Sequence, residues 1–167
     1  MQLTYYNSQF KQHSFPIVLI CENITNIANV GSLFRTADAF GVEKLIFCGS
    51  PIPTGRKVLK TSRSTEKYVS YEFYNDVATA VEAYKAKDYQ IIALEITHDS
   101  QCISKFAFDV HQKYALIVGD ENFGVSESVL KACDNIIHID MYGQNSSMNV
   151  VQATTIALYE LTKQLSS

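Results

Sequence analysis

Three stretches of the chain concentrate side chains able to do chemistry. ENITNIANVGSLFRTADAFG carries Asn26, Asn29 and Arg35, GDENFGVS carries Asp120 and Glu121 between Gly119 and Gly124, and DMYGQNSSMNVV carries Ser146, Ser147 and Asn149. Carboxamides, hydroxyls and a carboxylate are groups that orient a polar ligand. A guanidinium adds a fixed fork of donors and a permanent charge. Each also has a plainer use. Asn29, Ser146, Ser147 or Asn149 can cap a helix, the paired glycines can make a turn, and Arg35 can pair with a surface carboxylate or lay its stem on apolar neighbours. The GDENFG segment has the G-x-x-x-x-G spacing of a phosphate loop, but Val125 stands ahead of Ser126 where Lys is needed, and G-x-G-x-x-G is absent. A nucleoside triphosphatase and a dinucleotide-binding domain are therefore disfavoured.

Each stretch follows a short apolar run. PIVLIC (16–21), KLIFC (44–48), QIIALEI (90–96), YALIV (114–118) and NIIHI (135–139) read as buried strands. Helical patterns lie between them. Val30, Leu33, Phe34, Ala37 and Phe40 share one face of a first helix that Asn29 would cap and Gly41 would end. A second helix is expected over Asp76 to Lys87, with Asn75 or Asp76 at its cap and Val77, Val81 and Tyr84 inward. A short third follows Ser126, and the last runs from about Asn149 to Leu165. Strands separated by helices imply an open, mostly parallel α/β sheet with helices on both faces, whose ligands sit beyond the carboxyl ends of the strands.

Composition agrees with a folded domain. Of 167 residues 47% are hydrophobic and 19% charged, with seven Gly and three Pro, and no repeat or Gly/Pro/Ser-rich linker divides them, so one domain is expected. The longest apolar runs fall short of the roughly 20 residues that cross a bilayer. The first residues, MQLTYYNSQFKQ, do not have the pattern of a signal peptide, so a cytoplasmic location is expected. Cys21, Cys48, Cys102 and Cys133 are scattered and read as small buried hydrophobes, and the four His are equally dispersed, so no metal site is expected. The net charge is −3, yet Arg56, Lys57, Lys60, Arg63 and Lys67 fall in one segment with a single acid, Glu66. Such a cluster is either a solvated loop or a contact for phosphates.

Taken together, the three polar stretches resemble the motifs of the SpoU/TrmH-type RNA ribose 2′-O-methyltransferases of the SPOUT superfamily. NIANVGSLFRTADAFGV is similar to the first motif, with Asn-x-Gly, an Arg six residues after the Asn, and Ala-Phe-Gly; ALIVGDENFGVS is similar to the second, a Gly-x-Glu-x-x-Gly turn; IHIDMYGQNSSMNV is similar to the third, which opens the final helix. The likeness runs from about Phe15 to Leu165 and includes KTSRSTEKY, a basic stretch ahead of the family's third strand. It departs from the pattern at Asp120 and Asn122, which flank the Glu, and at Met148, where Leu is usual.

The resemblance implies a parallel sheet whose C-terminal part is threaded into a deep trefoil knot, S-adenosylmethionine in loops after Ile96, Val118 and Ile139, and a homodimer acting on transfer or ribosomal RNA. Leu94, Thr97, Gly119, Ile139, Met141 and Met148 would hold the cofactor. Asn29, Arg35, Glu121, Ser147 and Asn149 would be catalytic or substrate-positioning, with Asn29 and Glu121 fixing Arg35. Without a separate RNA-binding domain, RNA capture would fall to Arg56, Lys57, Lys60, Arg63 and Lys67, and transfer RNA is slightly favoured. A guanidinium is a poor base, so Arg35 is read as positioning the ribose hydroxyl. Two other readings remain: a non-catalytic RNA-binding protein on the same scaffold, and a flavodoxin-like small-molecule domain.

Overall fold

The computed structural model describes residues 10–52, 60–145 and 147–167. Seven strands form one sheet: β1 (Phe15–Glu22), β2 (Val42–Cys48), β3 (Ser70–Tyr74), β4 (Tyr89–Leu94), β5 (Gln101–Cys102), β6 (Lys113–Val118) and β7 (Asn135–His138). Their order is β3-β2-β1-β6-β4-β7-β5, and every pair is parallel. The five expected strands are present; β3 and the two-residue β5 are additional, at the two edges. β1 lies inside the sheet, and Ile17 to Cys21 are fully buried. A strand covered on both faces needs an unbroken apolar run, and PIVLIC provides one.

Alternation along the strands divides the core. Ile17, Leu19 and Cys21 pack with α1 (Ile27–Ala39) and α4 (Val150–Leu165), whereas Val18 and Ile20 pack with α2 (Val77–Lys85) and α3 (Glu127–Ala132). Helices thus cover both faces. Asp76 caps α2 by accepting from Thr79 N at 2.7 Å, and Ala80, Val81 and Tyr84 are its buried residues, with Val77 partly covered. Gly41, at φ +60, turns the chain out of α1 into β2. None of the described helices is long and apolar enough to cross a membrane. All four cysteines are free: Cys21, Cys48 and Cys102 are buried and Cys133 partly so. Burial, with Glu22 adding to it, pushes the Cys48 thiol up to about 12, and burial beside Asp134 does the same to Cys133.

The cap of α1 differs from the expected one. Asn26, not Asn29, is the N-cap: its side chain accepts from Ala28 N at 2.9 Å and Asn29 N at 3.3 Å. The helix therefore begins three residues earlier, and the Asn29 side chain, buried within it, is released from capping for another use.

Candidate active site

β6, β4 and β7 are adjacent in the sheet but far apart in the chain, and the loops leaving their carboxyl ends meet. Between them lies a cavity of about 490 Å³ lined by residues 94–97, 118–125, 138–139, 141 and 147–148 together with Leu130, Val150 and Ala153. Leu94, Thr97, Gly119, Ile139, Met141 and Met148 are all in its wall. Its size is that of an ordinary small-ligand pocket. Thr97 Oγ1 is buried with no hydrogen-bond partner among the described residues, a polar atom that a ligand in the pocket would satisfy.

The second motif is a compact turn. Asp120 Oδ1 accepts from Asn122 N at 2.8 Å and Phe123 N at 3.1 Å, and Gly124 N donates to Asp120 O at 2.8 Å. The turn folds Gly124 back onto Gly119, where a Cβ would run into the Gly124 carbonyl and Val125 N. Two carboxylates hold this turn to the sheet. Glu95, just beyond β4, accepts from Val125 N and from Ile96 N, each at 2.9 Å; Glu22, the last residue of β1 and buried, accepts from Ser126 N at 3.0 Å. Neither had been singled out from the sequence. Each is an acid closing an apolar run at a strand's carboxyl end, and that position is the signal available in the sequence.

Asn149 is the junction between the first and third motifs. Its Oδ1 accepts from Val151 N at 2.9 Å and caps α4, while its Nδ2 donates to Glu121 Oε1 at 2.7 Å and Asn29 Oδ1 at 3.3 Å. Because an ionised carboxylate only accepts and a backbone N–H only donates, these partners fix the carboxamide's orientation. Glu121 also lines the pocket, so it couples this network to the cavity wall. The expectation that Asn29 and Glu121 fix Arg35 is corrected here: both meet on Asn149, and Arg35 is exposed with no hydrogen bond or ion pair among the described residues. Ser147 lines the pocket, and its hydroxyl turns back to Asn145 Oδ1 at 3.4 Å rather than joining the network. Lys60, Arg63 and Lys67 are exposed; Arg56, Lys57 and Ser146 lie outside the described residues.

Replacing Asn149 tests the junction. Asn149→Ala removes the cap and both lateral bonds, an expected loss of about 1–2 kcal/mol. Asn149→Asp keeps the cap oxygen but sets a second carboxylate against Glu121. Its stability deficit should therefore shrink as pH falls through the carboxylate range, a trend absent from the Ala variant and readable in thermal melts between neutral and acid pH.

The fold also gathers residues that sequence spacing left apart. Ser100 Oγ lies 2.9 Å from His138 Nδ1, His138 Nε2 3.2 Å from Asp140 Oδ1, and the Cys102 thiol donates to Asp140 Oδ2 at 3.1 Å. The Cys102 hydrogen bond first, then His138, hold the Asp140 carboxyl below its usual range. The side-chain polar atoms of Cys102, His138 and Asp140 lie within 4.8 Å of one another, and their hydrogen bonds tie the loop after β7 to β5.

A parallel sheet with its pocket at the carboxyl rim, joined to an amide–carboxylate network on the first and last helices, defines an α/β domain with a small-ligand pocket beside a polar cluster. The chain belongs to the SpoU rRNA Methylase family, whose model matches residues 16–159. It is 28% identical over 148 residues to the tRNA (guanosine(18)-2′-O)-methyltransferase of Aquifex aeolicus (89% of this chain, 69% of that protein) and 31% identical over 144 residues to the 23S rRNA (uridine(2479)-2′-O)-methyltransferase of Streptomyces viridochromogenes (84% and 50%). The chain spans between 39% and 69% of the length of four curated relatives that it matches. The crystal structure of the A. aeolicus TrmH/SpoU tRNA modifying enzyme superposes with a TM-score of 0.82 at 27% identity, covering 92% of this chain and 77% of that one. The methyltransferase AviRb from S. viridochromogenes, solved with the cofactor AdoMet, gives 0.79 at 25% identity, covering 98% and 62%.

Proposed function

We propose that this chain transfers a methyl group from S-adenosylmethionine to a ribose 2′-hydroxyl of RNA. The observation that carries this is the Asn29–Asn149–Glu121 network set against a pocket that all six expected cofactor residues line. The residues present suit the cofactor: Leu94, Ile139 and Met148 offer apolar walls, Gly119, packed bare against the Gly124–Val125 turn, presents its backbone to the pocket, and the Thr97 hydroxyl has no partner among the described residues. When bound, it supplies a methyl group activated on a sulfonium.

The chain's own residues supply alignment. Glu121, held by Asn149, fixes the wall between pocket and network, and the Asn29 Nδ2 group, which makes no hydrogen bond among the described residues, is left to donate to the nucleotide. Arg35, exposed and without a hydrogen bond or ion pair among the described residues, would hold the 2′-oxygen and stabilise the charge that develops as the hydroxyl proton passes to solvent water. The exposed Arg35 suits a site completed by a second copy. Ile156 and Tyr159, 40% and 60% exposed on α4 beside a hollow of about 220 Å³, suit its docking. The homodimer, the trefoil knot and a cytoplasmic place of action belong to this reading. Transfer RNA is favoured on the likeness to the A. aeolicus tRNA enzyme in both sequence and fold, with ribosomal RNA the alternative that the S. viridochromogenes relative supplies.

The test is transfer of labelled methyl from S-adenosylmethionine to RNA from cells lacking this protein, followed by nuclease digestion and mass spectrometry. A 2′-O-methylated nucleoside is expected; methylation only on a base would overturn the reading. In the same system Lys60→Ala with Arg63→Ala should weaken RNA binding and flatten its salt dependence, by roughly 0.7 in slope per lost single-strand phosphate contact.

A further inference from the structure

β3 is an edge strand, and it leaves aromatic rings in solvent. Leu45 pairs in register with Tyr71 and Phe47 with Phe73, which sets both rings on the α1 face of the sheet. There the Tyr71 ring meets Phe34 edge-on at 5.3 Å and Phe73 edge-on at 5.6 Å, while Phe47 lies 5.7 Å from Phe34 and 6.0 Å from Phe73. Phe34 and Phe47 are buried; Tyr71 and Phe73 remain 45% and 54% exposed, and Tyr68, just ahead of the strand, 78%. The outer rings therefore stand on a packed base that fixes their orientation. Edge strands are normally guarded by charge.

Here the strand's own charge, Glu72, is paired with Lys44, and charge unpaired among the described residues lies on the segment leading into the strand. Lys60, Arg63 and Lys67 are exposed and form no ion pair among the described residues. That segment is pressed onto α1: a Cβ at Gly31 would collide with Thr61 and Ser62, and Thr61 Oγ1 donates to Ile27 O at 3.4 Å. Arg63 and Ser64, at φ 52 and 66, then turn the chain into the 3-10 turn Thr65–Lys67 that precedes β3. Cations and rings thus follow one another along a single anchored contour.

We propose that Tyr68, Tyr71 and Phe73 form a ledge on which bases of an unpaired RNA segment stack, while Lys60, Arg63 and Lys67 hold its phosphates. The inference rests on the reading of this chain as an RNA-modifying enzyme, and it narrows the substrate to one whose bases are splayed from a helix. A duplex hides its base faces, so exposed rings would gain nothing from it. A peptide strand added to the β3 edge would use backbone groups and would have no need of three unpaired cations. The ledge and the proposed positioning residue share one rigid element, because Phe34, which supports the ledge, immediately precedes Arg35 on α1.

The test uses the full chain and two labelled probes, a short single-stranded RNA of mixed sequence and the same strand annealed to its complement, in anisotropy titrations over a range of salt. The parent protein should prefer the single strand. Tyr68→Leu with Phe73→Leu, which keeps apolar bulk but removes flat faces, should weaken single-strand binding by about tenfold per ring with an unchanged salt slope and little effect on the duplex. Lys60→Ala with Arg63→Ala should do the converse and make the slope shallower. Tyr71 is left in place because its ring is lodged against Phe34, and thermal melts verify that each variant folds. Single-strand binding unaffected by the double Leu change, or a preference for duplex, overturns the ledge alone. A loss of self-association in light scattering with RNA binding intact assigns these rings to a second copy and overturns it too. Failure of the parent protein to bind either probe overturns the functional reading and the ledge with it.

Discussion

Gly119→Ala should abolish S-adenosylmethionine binding and lower stability by about 2–3 kcal/mol, the cost of forcing a methyl into a space that is already filled. The backbone at Gly119 is not left-handed, so the effect is one of room alone: the added carbon would meet the Gly124 carbonyl and Val125 N. Main chain cannot swing aside as a side-chain tip can. Relief requires the turn to lift from the sheet, which strains the Val125 N–Glu95 and Ser126 N–Glu22 hydrogen bonds and widens the pocket. Calorimetric titration with the cofactor, beside a thermal melt, measures both effects. A variant that binds cofactor with parental affinity would show that this close approach does not shape the pocket.

Arg35→Ala should behave in the opposite way, leaving the fold intact and stopping the reaction. The side chain is exposed and has no hydrogen bond or ion pair among the described residues, so removing it should change stability by no more than about 0.5 kcal/mol. It is absent from the pocket wall, so cofactor affinity should hold. The rate of methyl transfer should fall by about 10²–10³, as when a donor to a developing oxyanion is removed. Arg35→Lys should recover little, because a point charge on a flexible stem lacks the guanidinium fork. Single-turnover transfer at saturating cofactor separates these effects. A rate within a few fold of the parent's would remove Arg35 from the mechanism.

Periodicity and local turn chemistry carried a large part of this architecture, and their failures have identifiable causes. The apolar face of α1 and the burial of PIVLIC were legible because both patterns repeat over enough residues to exclude the alternatives. Asn29 has the chemistry of a cap but does not serve as one, because Asn26 offers the same chemistry three residues earlier and the backbone uses it. β3 was missed as a periodic element because SYEFY places aromatics on its more exposed face, which inverts the usual relation of alternation to burial. Asn149 as a junction was beyond sequence reading. Its partners lie 120 and 28 residues away, and only the folded helix termini bring them together. The same holds for Cys102, His138 and Asp140, whose spacing suggests nothing until β5 and β7 pair.

The position of β1 also bears on how the molecule comes into being. It is the first described strand, yet one of its two partners is β6, so that Ile17 must await Tyr114 across more than half the chain. Until β6 arrives, β4 and β7 have no anchored neighbour to lie against, and the three loops of the pocket cannot converge. Pairings of such long sequence separation are slow, because the loop must close before any contact rewards it. The pocket is therefore among the last features to form, and ligand binding reports on a chain whose central sheet is already complete.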